Sequence, residues 1–220
     1  MIFFDLDGTL LDDDAEVRAA IAGFYERFRG ELPADRVAFS AQWKELAERW
    51  FNRYLAREVG FQDQRRGRMR ELFPGIDDAE ADRRYEVFLA GYEQNWRLFP
   101  DGQPALAALA GKPLGIITNG DPRQQRSKIE RMGIADRFAI VVISGEIGVA
   151  KPELAIFTEA CGRAGTAPGS CWYVGDRLET DAVAAVTAGM RGAWINRGPA
   201  IPADPRVPTI RTLVEMPALV

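Results

Sequence analysis

The sequence predicts an α/β fold: a doubly wound parallel sheet with an α-helical domain inserted after its first strand. Three observations carry this. Short continuous apolar runs recur at residues 2–4, 114–117, 138–143, 172–174 and 193–195, the pattern of strands buried on both faces. Segments of helical character alternate with those runs, which is how parallel sheets with right-handed crossovers read in sequence. Between residues 14 and 96 the pattern changes. There Val17, Ile21, Phe24 and Phe28, then Trp43, Leu46, Ala47, Trp50 and Tyr54, recur at helical spacing, with no strand signal among them.

The first ten residues set the frame. Ile2, Phe3 and Phe4 form the opening strand, and Gly8 marks where the chain leaves it. Asp5 and Asp7 stand two apart, so an extended segment points both the same way, past the strand end where open α/β sheets place their ligands. Two such carboxylates repel, and a divalent cation would keep both ionised. An Asx-type turn is the alternative use of these aspartates. Asp12 to Asp14 then sit where helix caps and first turns favour acids.

Turn signals at 30–35, 60–63 and 73–77 divide the insert into roughly four helices, whose aromatic stripes are read as their own core. Arg65, Arg66, Arg68 and Arg70 are expected to form a solvated helix face, with anion binding as the alternative. Lys44, beside Glu45, reads as a surface ion-pairing residue. Pro100-Asp101-Gly102 closes the insert and a helix follows to 111. The second strand, 114–117, ends in Thr118-Asn119-Gly120, and a helix is predicted over 122–132. After the third strand, a loop over 145–150 leads to Lys151. A helix at 154–164, the strand delivering Asp176, a helix at 180–188 and a fifth strand follow. A proline-rich stretch and a short final helix are expected to wrap back on the core. The chain thus divides into a Rossmann-like core of 1–13 and 97–220 and a helical domain of 14–96, with the acid, hydroxyl and lysine signals all at one sheet edge.

Composition excludes several classes. The chain has 220 residues, 47% hydrophobic and 27% charged, which is ordinary for a globular protein. It has no histidine, which rules out Ser-His-Asp hydrolases, histidine phosphatases and imidazole metal sites, so acid and base work falls to carboxylates. Cys161 and Cys171 are too few for a disulfide framework and read as core. Cys171 and Arg177 satisfy a C-x5-R spacing, but Asp176 beside the arginine would repel the phosphate that such a loop binds. A net charge of -4 without long single-sign runs gives no footprint for nucleic acid, and no apolar stretch approaches membrane-spanning length. With the first strand beginning at residue 2, a cytoplasmic location is expected.

Taken together, Asp5-Leu-Asp7-Gly-Thr9, Ile117-Thr118-Asn119-Gly120, Lys151-Pro152, and Gly175-Asp176 through Thr180-Asp181 resemble the motifs of the haloacid dehalogenase-like superfamily, in its phosphatase-type members with a helical cap. The resemblance implies that Asp5 is a nucleophile forming an aspartyl phosphate, with Asp7 as acid and base. It implies that Thr118 and Lys151 handle the phosphoryl charge, and that Gly8, Thr9, Asn119 and Gly120 line the phosphate site. It implies Mg2+ held by Asp5, the Asp7 backbone carbonyl and Asp176, with Asp181 orienting a bound water. Thr180 stands where many relatives have asparagine or serine. The expected substrate is a small phosphorylated metabolite, a sugar phosphate or nucleoside monophosphate. Ile117 to Gly120 and Ile143-Ser144-Gly145-Glu146 look most like the nucleotidase and acylneuraminate phosphatase branch. A phosphomutase would keep every core residue. A 2-haloacid dehalogenase would need neither metal nor Asp7, and a non-catalytic binding protein would be expected to lack one of the acids.

Overall fold

The structure, a computed structural model, describes residues 1–33, 35–198 and 204–220. The chain forms two compact units, one of Met1–Asp12 with Arg97–Val220 and one of Asp13–Trp96.

In the first unit six parallel strands form one sheet: β1 (Ile2–Phe4), β2 (Leu114–Thr118), β3 (Ile140–Ile143), β4 (Trp172–Gly175), β5 (Arg191–Ile195) and β6 (Thr209–Ile210). Their order is β3-β2-β1-β4-β5-β6. Successive strands run outward one way from β1 to β3 and the other way from β4, so the topological switch point lies between β1 and β4, where such sheets leave a crevice. Alternation along β1 sends Ile2 and Phe4 to one face, with Leu114, Ile116 and Val174, and Phe3 to the other, with Ile117, Phe157 and Tyr173.

The second unit is a bundle of α1 (Asp13–Arg27), α2 (Arg36–Leu55), α3 (Phe61–Leu72) and α4 (Asp78–Gln94). The aromatic stripes are its core: Trp43 packs its ring 4.9 Å from Phe24 and 4.6 Å from Phe88. The arginine cluster departs from the solvated face expected of it. Arg66 pairs with Asp82 at 2.6 Å and with Asp78, Arg70 also pairs with Asp78, and Arg65 lies over the Phe61 ring. Arg68 is buried, donating to Gln64 Oε1 and Tyr85 OH. The helix period is the reason, since Arg68 stands one turn from Gln64 on the same face as Met69 and Leu72.

In the sheet unit the helices are α5 (Gly102–Ala108), α6 (Pro122–Arg131), α7 (Ser144–Ile147), α8 (Leu154–Arg163) and α9 (Ala184–Thr187). Four local readings change. β3 starts at Ile140 rather than 138, because Phe138 N–H closes a 3-10 turn on Ala135. The expected loop after it opens with the single turn α7, which Gly148 ends at φ 68°. The helix expected over 180–188 opens as a π-helical turn at Leu178–Val183 before α9, a widening often found at functional sites. A sixth strand of two residues, β6, is too short to show a period, and a 3-10 helix at Leu213–Ala218 buries Leu213 and Met216 against the core. The proline-rich stretch at 199–203 lies outside the described residues. Among the described residues no helix is long and apolar enough to cross a membrane.

Candidate active site

The site is assembled from the carboxyl ends of neighbouring strands. β1 ends at Phe4, yet the Asp5 N–H still donates to the Val174 carbonyl at 2.9 Å, which carries the Asp5 side chain beside the end of β4. Asp176 directly follows β4, and Asp181 sits on the π-helical turn, its Oδ2 accepting from the Arg177 N–H at 3.0 Å. One carboxylate oxygen each from Asp5, Asp176 and Asp181 lies within 4.8 Å of the others.

Lys151 binds this acidic group together. Its buried ammonium stands 2.7 Å from Asp5 Oδ1, 2.7 Å from Asp181 Oδ1 and 2.7 Å from the Tyr173 hydroxyl. These three contacts match its three protons. The Tyr173 oxygen also lies 3.0 Å from the Ile117 carbonyl, within donating distance. Burial works to lower the Lys151 ammonium, but Asp181 and Asp5 outweigh it and hold the group above its ordinary range. Burial pushes Asp5 well up; Lys151 opposes this, while Asp181 and Asp176 add to it. Asp176 is raised to about 6 by burial and by Asp181. One ammonium does not neutralise three acids, and the remaining negative charge, presented by oxygen donors alone, fits a hard divalent cation of the magnesium type.

Asp7 is placed differently from the sequence expectation. The chain turns directly after Asp5, with Leu10 and Leu11 N–H groups closing on the Leu6 carbonyl and Gly8 at φ 78°, so the two-residue strand period no longer applies. The Asp7 carboxylate therefore lies apart from the acidic trio. Its Oδ1 takes a bond from Lys128 Nζ at 2.6 Å and its Oδ2 one from Gln125 Nε2 at 2.9 Å, both on α6. The like charges that act on Asp5 are Asp181 and Asp176.

The other residues singled out from sequence divide into two groups. Thr118 ends β2 fully buried, its hydroxyl accepting from Gln125 Nε2 at 2.7 Å. Gly8 supports the trio by having no side chain, since a Cβ there would stand 2.5 Å from Asp176 Oδ2. Gly8→Ala is expected to cost about 1–2 kcal/mol of stability for the positive φ alone and to displace Asp176; a melting temperature equal to that of wild type would contradict that support. Of three residues expected on the phosphate, two are engaged elsewhere. The Asn119 side chain donates to the Lys151 carbonyl at 3.0 Å and accepts from the Lys151 N–H at 2.8 Å, so it positions the lysine. The Gly120 N–H donates to Ser144 Oγ, and Thr9 is fully buried with no partner for its hydroxyl among the described residues.

Residues 1–189 match the family model of haloacid dehalogenase-like hydrolases. The chain belongs to this family. It is 31% identical to phosphoserine phosphatase from Thermus thermophilus, over 90% of this chain and 89% of that one. It is 29% identical to human N-acylneuraminate-9-phosphatase, over 99% and 92% of the two chains. A solved 2-haloacid dehalogenase from Pseudomonas syringae pv. Tomato DC3000 superposes with a TM-score of 0.70 at 32% identity, covering 99% of this chain and 96% of that one. In this haloacid dehalogenase-like hydrolase the sequence reading missed Tyr173, Gln125 and Lys128. Tyr173 is hidden inside an apolar strand run. Gln125 and Lys128 stand at i, i+3 on the face of α6 that also buries Ile129, and two polar residues sharing a helix face with the core were the signal.

Proposed function

We propose that the protein is a magnesium-dependent phosphatase that hydrolyses a small phosphorylated metabolite, such as a sugar phosphate or nucleoside monophosphate, through an aspartyl phosphate. The observation that carries this is the trio Asp5, Asp176 and Asp181 closed around Lys151. A dehalogenase acting without metal has no use for three convergent acids, and the curated phosphatases reported above support the same reading.

Asp5 attacks phosphorus, forming an Oδ–P bond as the bond to the leaving oxygen breaks. Asp7 gives that oxygen a proton, then takes one from the water whose attack on phosphorus releases phosphate and frees Asp5. Lys151 fixes the Asp5 rotamer through Oδ1 and offsets charge on the transferring group. The Thr118 hydroxyl is a donor for a phosphoryl oxygen. Asp5, Asp176 and the Asp7 backbone carbonyl would hold magnesium, which when bound supplies positive charge against the repulsion between two anions. Asp181, with both oxygens already bonded, would act beside the ion by fixing Lys151.

Turnover of p-nitrophenyl phosphate with magnesium tests the reading, and chelator should lower it by roughly 100-fold or more. Release of halide from 2-chloropropionate with no phosphatase activity would establish the dehalogenase reading, which the Pseudomonas structure favours. The acid raised to about 6 adds a pH dependence. Below about pH 6 a proton competes for Asp176, so the half-activating magnesium concentration should rise about tenfold per unit. For the metal-free protein the sign is the reverse of the usual carboxylate, because the folded pKa lies above the reference 3.8. Its Asp176 contribution is full below about pH 4 and is lost as pH climbs through about 6, which melting curves with and without magnesium would show.

A further inference from the structure

We propose that Gln125 and Lys128 are positioning residues that aim the Asp7 carboxylate, so that α6 is part of the proton-transfer apparatus. This rests on the phosphatase reading for the role of Asp7 and goes beyond it in assigning what holds that residue.

Packing alone does not explain these two side chains. Gln125 is 1% exposed and Lys128 3%, on a face where leucines would bury at far lower cost, and glutamine and lysine are rarely buried without partners that need them. Both meet Asp7. Lys128 takes one carboxylate oxygen and Gln125 the other, at 2.6 Å and 2.9 Å. A carboxylate gripped at one oxygen still swings about its Cβ–Cγ bond, whereas two donors on different oxygens fix its plane. The Gln125 amide is fixed in turn, because its two N–H groups go to Asp7 Oδ2 and to Thr118 Oγ1. Flipping the amide would set its oxygen against a carboxylate, so the assignment is forced by chemistry.

A second observation comes from the loop after β2. Gly120 has φ 143°, and a Cβ there would lie 3.2 Å from Gln125 Cγ and Cδ, so this loop leaves the space that Gln125 occupies. α6 is anchored for the task. Pro122 opens the helix, and the Asp121 side chain caps it by accepting from the Gln124 N–H at 3.0 Å. The acid after β1 and the Thr118 hydroxyl at the end of β2 are thereby joined through one amide.

Lys128→Met and Gln125→Leu test this, each made in wild-type and Asp7→Asn backgrounds, with single-turnover rates on p-nitrophenyl phosphate and on phenyl phosphate. The two esters are similar in shape but differ in how much their leaving oxygen needs a proton. Each variant is expected to slow phenyl phosphate about tenfold more than p-nitrophenyl phosphate, with KM within about twofold, since general acid help is worth roughly 100- to 10,000-fold and is only misaimed here. Once Asp7 is asparagine, Lys128→Met is expected to cost nothing further and Gln125→Leu only what losing its bond to Thr118 costs. Lys128→Arg, which restores a donor, is expected to recover part of the loss. Equal slowing of both esters in both variants, or an undiminished loss in the Asp7→Asn background, would overturn the inference while leaving phosphatase activity in wild type intact. Wild-type protein that turns over neither ester would remove the phosphatase reading and this inference with it.

Discussion

Asp5→Asn is expected to abolish turnover, lowering kcat on p-nitrophenyl phosphate by at least about 1,000-fold, as removal of a covalent nucleophile does. The protein should remain folded. Asparagine has the shape of aspartate, keeps an oxygen for Lys151 Nζ, and removes a carboxylate that burial, Asp181 and Asp176 all disfavour in its charged form. The melting temperature of the metal-free variant should therefore equal or exceed that of wild type. Rapid quench with labelled substrate should trap phosphoenzyme in wild type and none in the variant. A rate near wild type would move the nucleophile elsewhere, but not to Cys171, whose C-x5-R spacing is deceptive because the residue is 0% exposed.

Lys151→Met is expected to have the next largest effect, and on two quantities. It leaves Asp5 and Asp181 buried without their cation, and breaking a buried pair from one side costs about 3–5 kcal/mol. That loss should depend on pH. Asp176, raised to about 6, is protonated near pH 5, and Asp5 is shifted in the same direction, so acid relieves part of the repulsion and the melting point should fall more at pH 8 than at pH 5. Turnover should fall roughly 100- to 1,000-fold, the usual loss for a preorganised group that stabilises developing charge. Arginine should not rescue it, because three partners around one small ammonium suit its point charge and not a planar fork. A Lys151→Met protein that melts like wild type at pH 8 would mean the acids are neutral there without the lysine.

These outcomes bear on what could be read from the sequence. The sheet was legible because its strands are buried on both faces, so each reads as an unbroken apolar run that ends visibly at Asp5, Thr118 and Asp176. The trio was legible only through the resemblance, which named Asp5, Asp176 and Asp181 together. Spacing paired Asp5 with Asp7, but the chain bends after Asp5, and the acids that meet Asp5 come from β4 and the turn beyond it. Nothing local shows that, since strand neighbours are set by topology. Tyr173 looked like core because most of it is core; only its hydroxyl reaches Lys151. Asn119 was assigned to substrate by its place in a motif, while its amide reads the backbone of Lys151 from both sides.

The position of β1 sets the order in which the protein can be built. Both its neighbours lie far along the chain: Ile2 stands beside Leu114 on one side and Trp172 on the other. Asp5 is therefore housed late. Asp5 cannot find its N–H partner Val174 until most of the chain has emerged, and such distant pairings fold slowly. The helical insert eases this. Its contacts are local, so it can form early, and the chain on either side of it is held together, Asp12 N–H to the Arg97 carbonyl at 3.1 Å and Leu11 opposite Leu98. Once folded it turns a gap of over a hundred residues between β1 and β2 into a short effective loop, sparing about 1 kcal/mol of closure entropy. Destabilising the bundle core at Trp43, even with every acid in place, should thus slow the recovery of activity after denaturation.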